Sequence, residues 1–533
     1  MKSILIIQII LLLSLAGSLA IYFSTSWGPW AYSDSAGYIS SARNLLAGNG
    51  LGYFAPSGNF KPLSIHPPLY PLVLSAIGLF GIEMIEAARW LNIVLFGVTI
   101  FLSGALTYSL THSSWLALSL SATLHTMPSF LNVSSGAMSE LIFFFTSMLG
   151  ICMLVIFLER KKRYQLILSS VSIGLAFLTR FNAVVLVIAG IIGLLINIRV
   201  SWKQRILDIT DFCLISITPT VLWLIRTYTQ TGTLAARHYN FDLNIWSATA
   251  QFRVKFIQVF SSWLPFQTLL PTYSYNVYRY IFIIFIALIL LMVCLVVYKK
   301  IKSRKVANSH TPEFSFALFW IIFSIGNLLL MAASSIYTDL VPNLDSRTFL
   351  PVQFGLVVAF LALLFSVIKL YQLPRSVVWI CTSLVLIFNL SYALTSWNII
   401  NQYHMFGAGY TSKAWHESNT LKILRDLPTN VPLITNESAA LLLLIDRPAY
   451  DFCSPPCNQS GQLRYGDDPL DPIQKIFRDD GAALIFFYPY CGVQEEPWYA
   501  DTMDHLKTLT QKLTQYHASC DGAIYFYPSA AEN

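Results

Sequence analysis

Apolar runs of about 20 residues, the length that crosses a hydrocarbon core, recur along roughly the first 400 positions and are separated by short polar segments. The pattern predicts about eleven spans, near 4–23, 86–110, 115–131, 139–158, 165–179, 183–198, 211–228, 279–298, 313–333, 349–370 and 376–397. Two stretches depart from it. The first is a long polar loop over 24–85, in which Tyr38, Ala42 and Leu45, flanked by Ile39 and Leu46, recur at helical spacing opposite Ser40, Ser41, Arg43 and Asn44. That spacing predicts an amphipathic helix lying on a surface, begun by Ser33-Asp34 as capping residues and ended by Gly48-Asn-Gly50. His66 and a double proline then bend the chain into 69–80, which is too short to span and is expected at the interface. The second departure is 399–533, where the strands Val431–Thr435, Ala483–Phe487 and Ala523–Tyr527 alternate with helical patterns at 417–427, 469–480 and 498–514. Continuous apolar strands between helices predict a layered α/β domain.

Composition narrows the class. Of 533 residues 55% are hydrophobic and only 11% charged, more apolar surface than a soluble chain needs. The expected fold is a polytopic α-helical membrane protein over 1–398, followed by a C-terminal extracytoplasmic α/β domain over 399–533. Lys and Arg clusters at 159–163, 199–205, 299–305 and 369–375 fall in alternate short loops. Cations near helix ends stay on the cytoplasmic side, so the amino terminus is expected inside the plasma (inner) membrane, with the loops 24–85, 226–278 and 334–348 and the tail outside. The net charge of +7 is a topology signal and implies no nucleic-acid partner. A cleaved signal peptide is the alternative for the first helix, since Ala16-Gly-Ser-Leu-Ala20 offers small residues, but its apolar run is long for one. Cys152, Cys213, Cys294 and Cys381 lie in apolar helices, as small hydrophobes. Cys453, Cys457, Cys491 and Cys520 lie in the tail, where an oxidising compartment allows two disulfides in three connectivities. A four-cysteine zinc site is the rival reading, with spacing too scattered for a zinc ribbon.

Candidate chemistry gathers on the expected outer side. Asp34 is a solitary carboxylate in the first loop, either a helix cap or a reactive group. His66 precedes the prolines, Glu140 opens a helix, Arg180 closes one, Arg226 follows Trp223, and Asp345-Ser-Arg347 precedes another span. Charged groups near a membrane mark substrate paths or paired interior sites, although any one of them can simply anchor a helix end. Trp246, Trp263, Tyr273, Tyr275 and Tyr278 either stack on sugars or form an interfacial belt.

Asp34 with Tyr38 and Ala42-Arg-Asn-Leu-Leu46, then His66-Pro-Pro-Leu-Tyr-Pro71, Ser139-Glu140, Leu178-Thr-Arg180, Trp223-Leu-Ile-Arg226 with Gly232, and Asp345-Ser-Arg-Thr-Phe-Leu-Pro351 resemble motifs of the GT-C fold membrane glycosyltransferases. The resemblance is to the group of protein mannosyltransferases, aminoarabinose transferases and rhizobial lipopolysaccharide core transferases. It covers roughly 1–400. It implies transfer of a sugar from a polyprenyl-phosphate carrier to a lipid, glycan or protein acceptor at the outer face, with Asp34 as the catalytic carboxylate. Arg226, Arg237 and Arg347, with Lys61 and Arg180 behind them, are candidates to stabilise the departing phosphate. His66 and Glu140 are candidates to orient Asp34 or hold the sugar, and Asp345 completes the set. Where some family members have Asp-x-Asp, this chain has Ser33-Asp-Ser35, which leaves a divalent metal an open question; no soluble cofactor is implied. A transporter or flippase and a non-catalytic scaffold are the other classes. A transporter is expected to show internal repeats and polar residues at mid-membrane, which the sequence does not, and a scaffold leaves the order of Asp34, Glu140, Arg226 and Asp345 unexplained.

Overall fold

The computed structural model describes residues 2–197, 200–234, 245–265, 274–302, 312–337, 344–451, 481–488 and 513–526. The chain forms two compact units, and they interleave along the sequence. One comprises 1–25, 64–70 and 88–404, the other 26–63, 71–87 and 405–533. The loop 24–85 therefore groups largely with the tail.

The first unit is helical, and the protein is a multi-pass membrane protein. Among the described residues eight helices are long and apolar enough to cross a membrane: Ser3–Ser24, Met84–Thr111, Glu140–Arg160, Trp202–Thr231, Tyr275–Lys302, Pro312–Ile336, Leu350–Tyr371 and Arg375–Phe406. The other three expected spans are shorter helices, Ser114–Thr126, Arg163–Phe177 and Val184–Leu195. The span expected at 115–131 fails for a local reason. Met127, ahead of Pro128, is extended and ends one helix while starting the next, Pro128–Ser134, as the clash of a proline ring with the preceding residue requires.

Such a break frees backbone carbonyls that no water reaches in a bilayer. Here neighbouring helices supply the donors. Ser396 Oγ donates to the Thr126 carbonyl at 2.8 Å, and just past the break the Ser129 side chain bonds that of Gln353. Around this seam Phe144 and Phe354 stack at 4.8 Å between centroids, and Phe130 and Trp320 pack on them edge-to-face or tilted at 5.3–5.6 Å. Small residues allow close helix approach: Ser14 Oγ donates to the Gly97 carbonyl at 2.7 Å and Ser169 Oγ to that of Gly150 at 2.8 Å. The fully buried Glu313 pairs with Lys369. Trp263 and Tyr278 are buried against Phe256, Phe260 and their neighbours, so neither serves the sugar-stacking or belt roles expected of them; Tyr273 lies outside the described residues.

In the second unit the helix Ser33–Leu46 forms as expected, but its cap is Tyr32, and Asp34 sits inside the first turn. Ser35 Oγ accepts the Tyr32 N–H at 3.2 Å. The expected polar face is not a solvent face either, since Ser40, Ser41 and Asn44 are buried. Asn44 Nδ2 bonds the Ser40 carbonyl at 3.0 Å, so part of its polarity is satisfied within the helix. The helix Ser438–Leu444 packs on it, and Arg43 spans the junction, donating to the Leu443 carbonyl at 2.8 Å and pairing with Glu83 at 2.5 Å. Strands β1 (Gly52–Phe54) and β2 (Phe60–Pro62) form an antiparallel hairpin.

The tail builds a mixed sheet from β3 (Leu433–Thr435), β4 (Tyr450–Asp451), β5 (Ala483–Phe487), β6 (Thr514–Ser519) and β7 (Gly522–Phe526), ordered β4-β3-β5-β7-β6. β3 is parallel to β4 and β5, whereas β7 is antiparallel to β5 and β6. Both faces of β5 are covered. Ile485 and Phe487 pack with Leu421, Leu424 and Leu441, and Leu484 and Phe486 with Ile434, which explains its unbroken apolar run. The helical patterns expected at 469–480 and over 498–512 lie outside the described residues, and Thr514, expected as the last residue of the second, opens β6. Cys520 is disulfide-bonded, against the four-cysteine zinc alternative; Cys453, Cys457 and Cys491 lie outside the described residues.

A single carboxylate ties the β6–β7 turn to the helix Asn419–Asp426. Asp521 accepts from Ser418 Oγ and Ser519 Oγ at 2.5 Å each and from the Thr420 N–H at 3.2 Å. Burial opposes its ionisation, but these hydrogen bonds and one from its own backbone outweigh burial and hold the carboxyl below its ordinary value of 3.8. A depressed carboxyl stabilises the fold fully above its unfolded value, and the contribution is lost as pH falls through the folded value. Asp521→Asn is expected to cost about 1–2 kcal/mol, discounted for partial exposure. Amide exchange across Thr514–Phe526 should then quicken at pH 7 by about 5–30-fold, and the difference from wild type should close below pH 3.8. Equal protection at pH 7 would remove this role.

Candidate active site

Three helix ends meet in the first unit. The helix Glu140–Arg160 starts on Glu140, where an acidic side chain suits the positive end of the helix dipole. The helix Arg163–Phe177 ends just before Arg180, which is extended at φ −149° and leads into the short 3₁₀ turn Phe181–Ala183. The helix Leu350–Tyr371 follows a turn over 345–349, closed by Asp345 Oδ1, which accepts from Thr348 N–H at 2.8 Å and Thr348 Oγ1 at 2.9 Å. That turn carries Arg347 inward.

The result is a carboxylate between two guanidinium groups. Arg180 Nη1 lies 2.6 Å and Arg347 Nε 3.6 Å from Glu140 Oε1. The Glu140 side chain is 2% exposed, whereas each arginine is 28% exposed. Burying a carboxylate is costly unless it is paired, so Glu140 holds the two arginines together. Each guanidinium has five N–H donors in a planar fork, the geometry that pairs with carboxylate and phosphate oxygens. Arg347 Nη1 also reaches the Met138 sulfur at 3.8 Å.

Neighbouring backbone is tied to this cluster. Leu69 N–H donates to the Leu178 carbonyl at 3.0 Å, which brings the His66-Pro-Pro segment alongside the strand of chain bearing Arg180. Asn92 Nδ2 donates to the Gly136 carbonyl at 2.6 Å and fixes the approach to Glu140.

Of the expected residues, then, Glu140, Arg180 and Arg347 converge, and His66 lies half-buried three residues before the Leu69 tie. Asp345 is exposed and shapes the turn without joining the cluster. Arg226 stacks on Trp223, 4.5 Å from the ring centroid, one turn away on the same helix. Asp34 and Lys61 belong to the second unit, Asp34 half-buried in the first turn of its helix and Lys61 exposed on β2. Arg237 lies outside the described residues. One feature beyond the expected set is the pair Asn182–Asn327, whose amides bond at 2.8 Å two residues after Arg180. Its signal was an asparagine within the apolar run Phe323–Met331. Among the described residues no three His, Cys, Asp or Glu side chains gather as a metal-ligand set.

Residues 65–223, which include Glu140 and Arg180, match the family model of the dolichyl-phosphate-mannose-protein mannosyltransferases. The resemblance to GT-C membrane glycosyltransferases holds. Several solved GT-C structures are similar to the chain. ArnT from Cupriavidus metallidurans bound to undecaprenyl phosphate is 12% identical, with 97% of each chain covered and a TM-score of 0.48. AglB, an oligosaccharyltransferase from Archaeoglobus fulgidus, in complex with an inhibitory peptide and a dolichol-phosphate, is 10% identical over 96% of this chain and 73% of its own, at 0.48. The Pmt1-Pmt2 protein O-mannosyltransferase of S. cerevisiae is 14% identical over 44% of this chain and 34% of that one, at 0.34. No curated protein matches the sequence.

Proposed function

We propose that this GT-C protein moves a sugar from a polyprenyl-phosphate donor to a lipid, glycan or protein acceptor by direct displacement at the outer face of the membrane. The observation that carries the reading is Glu140 buried between Arg180 and Arg347, two of the three inside the segment that matches the mannosyltransferase family.

In this reaction the carrier phosphate leaves with added negative charge. A fixed cation beside it is worth several kcal/mol in the transition state, and arginine suits the task because its planar fork bonds two phosphate oxygens and stays ionised near lipid. Glu140 holds both forks in place before the donor arrives, so little reorganisation accompanies charge development. The acceptor hydroxyl must lose its proton as it attacks the anomeric carbon. Asp34 is the general base in this reading, a role assigned by the family resemblance. The apolar carrier chain needs no soluble cofactor; it dissolves between helices.

Purified protein in detergent, given a panel of polyprenyl-phosphate sugars with envelope extract as acceptor source, should consume one donor in an acceptor-dependent way. Folded protein that turns over none of them would sink the reading.

A further inference from the structure

The second unit holds a cavity of about 210 Å³ that the reaction above does not use. Trp27, Ile85 and Leu444 give it apolar surface, and Glu83, Glu86 and His416 give it polar groups. These residues come from three distant stretches of chain, and hydrogen bonds fix their meeting. Thr411 Oγ1 donates to the Pro29 carbonyl at 2.7 Å, and Tyr410 N–H to that of Ala31 at 2.9 Å. Gly28 sits on the wall at φ +108°, and a Cβ there would lie 3.3 Å from that of Thr411. The shape of the cavity is set by these bonds before any ligand arrives, which lowers the cost of binding.

The chemistry of the lining selects a ligand class. An indole offers a flat apolar face, here with the His416 ring 5.7 Å away and Lys413 Nζ 5.9 Å from the indole centroid. Glu83 accepts from Arg43 through Oε1 and from the Ile85 N–H through Oε2 at 2.6 Å. An ionised carboxylate has about four acceptor sites, so capacity remains on Glu83 for hydroxyl donors. An indole and carboxylate acceptors lining one cavity suit a ring with C–H groups on one side and hydroxyls at its rim. Arg43 is already committed to Glu83 and Lys413 lies over the indole, so the ionisable groups lining the cavity are the acceptors Glu83 and Glu86 with His416.

We propose that this cavity binds one sugar ring of the acceptor, neutral or amino-substituted, and so sets acceptor specificity. The inference deepens the transferase reading and rests on it for the word acceptor.

The test uses full-length protein in detergent and the methyl glycosides of glucose, galactose, mannose and glucosamine as probes, read by saturation-transfer NMR and tryptophan fluorescence. Wild type is expected to bind at least one glycoside, and Trp27→Leu and Glu86→Gln to weaken it by at least 10-fold while melting like wild type. If Trp27→Leu does not fold, Glu86→Gln decides alone. Added polyprenyl phosphate should not compete; competition would make the cavity part of a donor site and overturn the assignment. Binding of none of the four glycosides by wild type, or unchanged binding by the folded variants, would also overturn it. Glycoside binding by a protein that turns over no donor would leave the sugar site standing and remove the transferase reading, so the two failures are distinct.

Discussion

Asp34→Asn is expected to lower donor turnover by a factor of about 10²–10⁴, the contribution of a well-placed general base, with little change in donor binding. The substitution keeps the shape of the side chain and removes its basicity. Its structural cost is small by comparison. Asp34 sits in the first turn of the helix Ser33–Leu46, where a negative charge at the positive end of the dipole is worth about 0.3–1 kcal/mol. The cap itself is Tyr32 with Ser35, which the substitution does not touch. A stability change of that size leaves the protein folded, so a large loss of turnover in a variant that melts near wild type belongs to the chemistry. Equal turnover would reduce Asp34 to a favourable charge in a helix turn.

Removing the charge of Arg180 should have the largest effect on stability. Among the described residues Arg180→Gln leaves the buried Glu140 with the longer contact to Arg347, and breaking a buried pair from one side costs about 3–5 kcal/mol. Turnover should fall as well if, as proposed, this fork receives the departing phosphate. The double variant Glu140→Gln/Arg180→Gln separates the two effects. Two neutral amides of similar size no longer strand a charge, so thermal stability should recover most of the loss, a coupling that a double-mutant cycle reads directly. Turnover should not recover. A double variant that regains both stability and turnover would make the cluster a structural clasp.

Much of the helical layer was legible because membrane spans and their caps are local signals. Length and hydropathy located the eight long helices, while the broken span at 115–131 shows how one residue pair, Met127-Pro128, overrides an apolar run. Glu140, Arg180 and Arg347 were legible one by one, as charges at helix ends. Their convergence was not, since it depends on the turn that Asp345 closes and on helix packing across some 200 residues of sequence. The burial of Ser40, Ser41 and Asn44 was hidden for a related reason. Helical spacing records which residues share a face, and it cannot reveal that a segment near Leu443 will cover the polar one. Strand β5 was legible from its continuous apolar run, and β6, with Thr514, Gln515, Tyr516 and His517 half-exposed or exposed, carried no comparable pattern.

The interleaving of the two units imposes an order on maturation. Arg43 bonds a carbonyl 400 residues further along the chain. At synthesis rates of about 5–20 residues per second, the helix that carries Asp34 waits roughly 20–80 s for that partner to be made. A nascent chain halted between residues 406 and 443 therefore has its eight long membrane helices but an unfinished second unit. The segment made near the start of translation is completed only at its end.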